Sequence, residues 1–179
     1  VVESLLVSLG LDYGVLITAE KYSSIVNDND RNTKCLFSDA ASATLLSRDG
    51  KLIPGKYKFG TDGKFYDSLI VRNKNNDGKC INNVLSMNGR EIFNFTVGKI
   101  PNEISDVCKI NNLSEQEIDH FVIHQASSYV ISSIAERVKH DVADKFVDYM
   151  YLFGNTVSSS IPISLCQLTN DMDDIENKI

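Results

Sequence analysis

Val2, Leu5, Leu6 and Leu9 recur at the i, i+3, i+4, i+7 spacing of an amphipathic helix, and Gly10 follows as a stop. Nothing before Val2 offers a cap, so the pattern reads as the later turns of a helix that starts outside the chain. Val15–Ala19 is a short apolar run of strand type. The polar stretch 21–34 leads to a second apolar run, Cys35-Leu36-Phe37, and Ala43–Leu46 is a third, closed by the turn Arg48-Asp49-Gly50. Residues 51–86 carry weaker strand signals at Phe65-Tyr66 and Leu69–Val71, separated by Thr61-Asp62-Gly63 and by the polar tract 73–79. This stretch reads as a surface-rich connection between two halves.

From residue 87 the pattern becomes regular. Asn88 with Glu91 three residues on forms a capping-box variant, and Ile92, Phe93, Val97 and Ile100 line one helical face that Pro101 is expected to interrupt. Ser114 and Glu117 repeat the cap signature. Phe121–His124 reads as a strand, and Val130, Ile131, Ile134, Ala135 and Val138 mark a helix. Phe146–Leu152 reads as another strand and Gly154-Asn155-Thr156 as a turn. Ile161, Leu165 and Leu168 mark a last helix that tolerates Pro162 in its first turn. Helix, strand, helix, strand, helix is the order of an α/β layered fold. No strand closes the series after the last helix, so the natural chain is expected to continue beyond residue 179.

Composition narrows the class. The 179 residues are 42% hydrophobic and 23% charged, values of a globular protein with a sizeable core. The net charge is −6 without a basic run, which argues against nucleic acid as a partner. No apolar stretch reaches the roughly 18 residues of a membrane span. Cys35, Cys80, Cys108 and Cys166 make no CxxC pair and no metal-ligand spacing, so no metal and a reduced, cytoplasmic setting are expected. Of these, Cys35 falls in a strand run, Cys80 in a polar loop, and Cys108 and Cys166 on helices.

Two polar residues stand out by position. His124 ends an apolar run before a helix, and Asn155 does the same one unit later. Ligands of open α/β sheets bind outside the carboxyl ends of strands, so these two can converge on one ligand. A histidine at a strand end also serves as a satisfied structural residue, and Gly-Asn-Thr also serves as a plain turn. The residues alone leave a polar pocket with no reaction assigned to it.

The wording around them goes further. The segment 119–138, with His124-Gln125-Ala126, resembles the His-Gln-Ala-Asn region of the β-ketoacyl-acyl-carrier-protein synthase III family. The segment 153–165 resembles its Gly-Asn-Thr-Ser region, Met87–Phe93 a third block and 30–46 a fourth, all in the family's order. The resemblance implies a thiolase-like α/β fold, a mixed sheet covered by helices and truncated at both ends. It divides the chain into residues 1–50, the end of the N-terminal half, and 51–179, an incomplete C-terminal half. It implies that the family's nucleophilic cysteine lies a few residues before Val1, and that none of the four cysteines here takes its place. His124 and Asn155 are then the catalytic pair that donates hydrogen bonds to a malonyl thioester oxygen as it gains charge. Arg31 corresponds to an arginine against the adenine of coenzyme A. Met87, Gly89, Phe93, Ala126 and Ser127 correspond to the tunnel for the phosphopantetheine arm. The implied substrates are acyl-CoA and a malonyl thioester on acyl carrier protein, with no resident cofactor, and the full-length protein is expected to be a homodimer.

The sequence also departs from the family. Three glycines of the block after Phe37 are Ser38, Ala40 and Ser42, which predicts a changed loop. The family Asn three residues after the histidine is Ser127, an arginine used for docking carrier protein is Tyr129, and a lysine is Asn94. Arg137 and Lys139 are the basic residues left on that helix, so docking residues are partly absent. A thiolase-fold acyltransferase of secondary metabolism and a non-catalytic partner subunit therefore stand as alternatives to a condensing enzyme.

Overall fold

The computed structural model describes residues 1–76 and 79–172. Helix α1 (Val2–Leu9) ends at Gly10, whose φ of 64° is the left-handed cap that glycine adopts without steric penalty. Strand β1 (Tyr13–Glu20) pairs antiparallel with β2 (Ala40–Ser47) in an unbroken register from Tyr13 opposite Ser47 to Glu20 opposite Ala40. Between them lies the short α2 (Arg31–Lys34), capped by the Asp30 carboxylate, which accepts from the Asn32 N–H at 3.0 Å. Strands β3 (Leu69–Asn76) and β4 (Lys79–Met87) form a second antiparallel pair with an irregularity between Arg72 and Lys74. The polar tract expected to break this region instead belongs to these strands on both sides of Asp77 and Gly78, which lie outside the described residues.

Helix α3 (Gly89–Ile110) runs 22 residues straight through Pro101. The expected interruption does not occur. Proline removes one backbone hydrogen bond and crowds the preceding turn, worth about 3 kcal/mol in an isolated helix. Here Pro101 is buried and the neighbouring Ile100 and Ile104 pack on the central core, so tertiary contact carries the helix across it. Asn88 caps α3 by accepting from the Glu91 N–H at 3.3 Å. The return half of the predicted box is absent, because the Glu91 carboxylate takes the Ser68 hydroxyl instead. Ser114 and Glu117 do form a reciprocal cap, around a single turn at Glu115–Glu117.

The remaining elements are α4 (Ser128–Val138), α5 (Met150–Phe153) and α6 (Ser160–Asp171). Helix α4 packs on α3. Phe121, Ile131, Ile134, Ala135, Val142 and Phe146 form the central core, with the Phe121 and Phe146 rings stacked at 4.5 Å. The two strands expected at 121–124 and 146–152 reduce to one parallel bridge, Phe121 with Phe146. After that bridge, Asp148 accepts from the Met150 N–H at 2.9 Å and turns the chain into α5. A short apolar run does not by itself distinguish strand from helix, and this aspartate-led turn decides it. The run at 35–37 is likewise one parallel bridge, Phe37 with Asn155, and Cys35 caps the end of α2 rather than lying in a strand. Cys80 lies in β4 rather than in a loop. Antiparallel ladders with parallel bridges, flanked by helices, make the mixed α/β architecture. Residues 173–179, which follow α6, lie outside the described residues.

Among the described residues no helix is long and apolar enough to cross a membrane, and no cluster of histidine, cysteine and carboxylate side chains could hold a metal ion.

Candidate active site

A cavity of about 630 Å³ opens where β4, α3, the segment after Phe121 and the turn before α6 meet. Its wall is mainly apolar, built by Met87, Ile92, Phe93, Ile100, Ile123 and Ile134. His124 and Asn155 both face it, together with Gly89, Ala126 and Ser127. Seven of the eight sequence-predicted residues thus share one cavity. Arg31 does not. It is an exposed residue at the start of α2 and lines neither this cavity nor the smaller one beside Met87.

The backbone of Asn155 is clamped. Its N–H donates to the Leu36 carbonyl at 3.0 Å and its carbonyl accepts from the Ser38 N–H at 2.9 Å. Gly154 makes this clamp possible. Its φ of 68° and ψ of −165° lie in a region open only to glycine, and a Cβ there would collide with the Ser38 hydroxyl. The Asn155 carboxamide is also held. Its Oδ1 accepts from the Val157 N–H at 3.0 Å, and its Nδ2 donates to the Ala126 carbonyl at 3.3 Å. This fixes which end of the amide is which. Among the described residues one N–H of Nδ2 has no acceptor, on a residue that lines the cavity. Val157 itself has φ of 53°, a costly conformation for a β-branched residue.

His124 is held from behind. Its Nδ1 lies 2.6 Å from the Ser160 hydroxyl. The ring is open on the cavity side yet surrounded by protein on its others, and that burial pushes its pKa below the ordinary histidine value. The Val157 backbone opposes the shift, and burial outweighs it. The imidazole is therefore neutral at neutral pH and can donate from one nitrogen only. Gln125, beside it, is 2% exposed and fully partnered. Its amide nitrogen donates to the Ile123 and Val147 carbonyls at 2.9 and 3.1 Å, and its oxygen accepts from the Tyr149 N–H at 2.9 Å. Gln125 staples the histidine segment to the stretch before α5. Its place inside the His-Gln-Ala block was the available signal for it.

The remaining predicted residues take more modest places. Ser127 caps α4, its hydroxyl oxygen accepting from the Val130 N–H at 3.1 Å. Gly89 begins α3 without a positive φ, and a Cβ there would meet only Met87 Cε at an ordinary 3.7 Å, so the backbone does not require glycine. Phe93 stacks on Tyr129 at 5.2 Å with a 12° interplanar angle. The changed loop after Phe37 keeps regular strand geometry: Ala40, Ala41 and Ser42 pair with Glu20, Ala19 and Thr18, with no left-handed residue among 38–43. The Ser42 hydroxyl gains a partner in Thr18 at 2.6 Å, and Thr18 in turn meets buried Ser159 at 2.8 Å. No cysteine lines the cavity among the described residues. Cys108 is buried in α3, where desolvation raises its thiol pKa, the opposite of an activated nucleophile.

Residues 1–63 match the family described as 3-oxoacyl-[acyl-carrier-protein] synthase III, and residues 108–175 match the C-terminal part of the same family. The β-ketoacyl-[acyl-carrier-protein] synthase III of Lactococcus lactis subsp. cremoris is 34% identical over 172 residues, which cover 92% of this chain and 52% of that protein. Its counterpart from Blochmanniella pennsylvanica is 32% identical over 163 residues, 90% of this chain and 50% of that protein. A 2.1 Å crystal structure of a 3-oxoacyl-(acyl-carrier-protein) synthase III superposes with a TM-score of 0.83 at 26% identity, over 95% of this chain and 56% of the other. The synthase III from Thermus thermophilus gives 0.77 at 28% identity, over 95% and 54%. The chain spans about half the length of the curated relatives it matches. Two family matches at the two ends of the sequence and a shared thiolase-type fold lead to one conclusion: the chain belongs to the 3-oxoacyl-[acyl-carrier-protein] synthase III family.

Proposed function

We propose that the full-length protein is a decarboxylative condensing enzyme, an acyltransferase that joins an acyl group to a malonyl thioester. The observation that carries this reading is the convergence of a neutral imidazole, His124, and an orientation-locked carboxamide, Asn155, on one apolar cavity. The nucleophile is the cysteine that the resemblance sets a few residues before Val1. It takes the acyl group from acyl-CoA as a thioester, releasing coenzyme A. The malonyl thioester then breaks its bond to the terminal carboxylate. Carbon dioxide leaves, the bonding pair moves onto the α-carbon, and negative charge spreads to the thioester oxygen. His124 and Asn155 each donate a hydrogen bond to that oxygen. Removing such a donor lowers the rate about 10²–10³-fold in other acyl-transfer sites. The α-carbon then attacks the acyl-cysteine carbonyl and the thiolate departs. The apolar wall strengthens both donors by excluding water.

Ala126 and Ser127, with Met87, Gly89 and Phe93, line the route for the phosphopantetheine arm in this reading, and Arg31 meets the adenine outside the cavity. Acyl carrier protein is the proposed malonyl donor, with no resident cofactor, in a cytoplasmic homodimer. Full-length His124→Ala should lose malonyl decarboxylation about 10²-fold or more while its cysteine still accepts acyl groups from acyl-CoA. Undiminished carbon dioxide release from that variant would remove the assignment. A thiolase-fold acyltransferase to oxygen or nitrogen is the second reading. Tyr129 favours it: this aromatic, 70% exposed, takes the place of a family docking arginine. Acyl transfer without carbon dioxide release would select it.

A further inference from the structure

Deepening the condensing reading, and resting on it, we propose that Ser160 is a positioning residue that holds His124 in the tautomer with its proton on Nε2. Ser160 opens α6 and is 2% exposed. Its hydroxyl oxygen lies 2.6 Å from His124 Nδ1, and the Gln125 N–H donates to the same oxygen at 3.4 Å. A serine hydroxyl has one proton to give and two lone pairs to receive. One lone pair takes the Gln125 N–H. Among the described residues the hydroxyl proton has no acceptor other than Nδ1. Donation to Nδ1 occupies that nitrogen's lone pair and leaves the ring proton on Nε2. Nε2 belongs to a residue lining the cavity.

The opposite tautomer would present the Nε2 lone pair to a developing negative oxygen, which repels it. The Val157 backbone also bonds the ring and favours its protonated form, and burial outweighs it. The short stretch from Asn155 to Ser160 therefore governs both donors. The Val157 N–H sets the orientation of the Asn155 amide, and the Ser160 hydroxyl, one turn later, sets the proton of the imidazole. The strained φ of Val157 sits between the two contacts. Nothing in the apolar periodicity of α6 marks Ser160 for this role. It is the last of three consecutive serines and reads as an ordinary first-turn residue.

Two measurements on the full-length protein test the assignment. Nitrogen-15 NMR of the unmodified protein, with the His124 signals identified by their loss in His124→Ala, should show a neutral ring protonated on Nε2. A ring protonated on Nδ1 overturns the proposal, whatever the variants do. In Ser160→Ala the decarboxylation rate should fall roughly 10-fold, the worth of one hydrogen bond to a reacting group. Cysteine acylation should be unchanged, and Ser160→Thr, which keeps the hydroxyl, should restore most of the rate. A Ser160→Ala enzyme that acylates and decarboxylates at the unmodified rate also overturns it. If His124→Ala leaves decarboxylation intact, the condensing reading itself fails. Loss in His124→Ala without loss in Ser160→Ala removes only the role of Ser160.

Discussion

The strands of the β1–β2 hairpin are more apolar along the chain than helices α3 and α4, yet among the described residues it is the helical region that builds a core. In the hairpin, Val15, Leu16, Ile17 and Leu45 are all exposed, on both faces of the strands. In the second region Ile131 and Ile134 close on Phe121 and Phe146, and α3 packs against α4. A run that is apolar on both faces is the signature of a strand covered from both sides. The hairpin therefore has the composition of a central element, and its contacts within these residues are those of an edge. The site draws on both regions, since Leu36 and Ser38, just before β2, grip the backbone of Asn155.

The largest expected effect tests that contrast directly. Ile134→Ala, at 2% exposure, should cost about 3 kcal/mol through lost burial and the cavity left behind, whereas Ile17→Ala, at 70% exposure, should stay within about 0.5 kcal/mol. Urea unfolding of this chain measures both, and equal losses would erase the distinction. Repeating Ile17→Ala in the full-length protein sharpens it, because a covered hairpin there should show a core-sized loss. Gly154→Ala comes next. Its positive φ and the collision with Ser38 should together destabilise by on the order of 2–3 kcal/mol and loosen the clamp on Asn155. Wild-type stability with full decarboxylation in that variant would show that the clamp does not need glycine. Ser127→Ala should cost about 1 kcal/mol through the lost α4 cap, read as a shift in the unfolding midpoint.

The last effect is read as a change in the pH dependence of stability on acidification. Glu115, buried beneath α3, accepts from the Ser105 hydroxyl at 2.6 Å and from the Lys139 ammonium at 2.9 Å, which together hold its pKa down to about 2, the Ser105 bond contributing most. A carboxylate with a depressed folded-state pKa adds stability that is complete above its ordinary value of 4.5 and is lost as pH falls toward 2. Glu115→Gln should therefore flatten the acid limb of the stability curve between those values. An unchanged limb would locate the acid sensitivity elsewhere. His124 runs the same way one step higher. Its depressed pKa makes its contribution complete above 6.5 and diminishing as pH drops below it.

Much of this was legible in the linear pattern. Helices α1, α4 and α6 appear at their periodic residues, and β1 and β2 contain the apolar runs that announced them. That His124 and Asn155 line one cavity was legible too, because family wording surrounds each residue. Three features were not. Pro101 looked like a stop because local geometry penalises it, and burial against the core overrode that penalty. The stretch after Phe146 looked like a strand because its apolar residues are consecutive, until Asp148 turned it into α5. The Glu91 cap partner went to Ser68, a residue 23 positions away that no local rule anticipates.

The amino-acid sequence alone determined which segments could become helix or strand, and which two polar side chains stood at their ends, since both depend on spacing and chemistry within a few residues. Only the tertiary structure decided how those side chains are presented. The orientation of the Asn155 amide depends on Val157 and Ala126, and the ring of His124 on Ser160, 36 residues away. A hydrogen bond is a matter of a few ångströms and a direction, and distance along the chain carries neither.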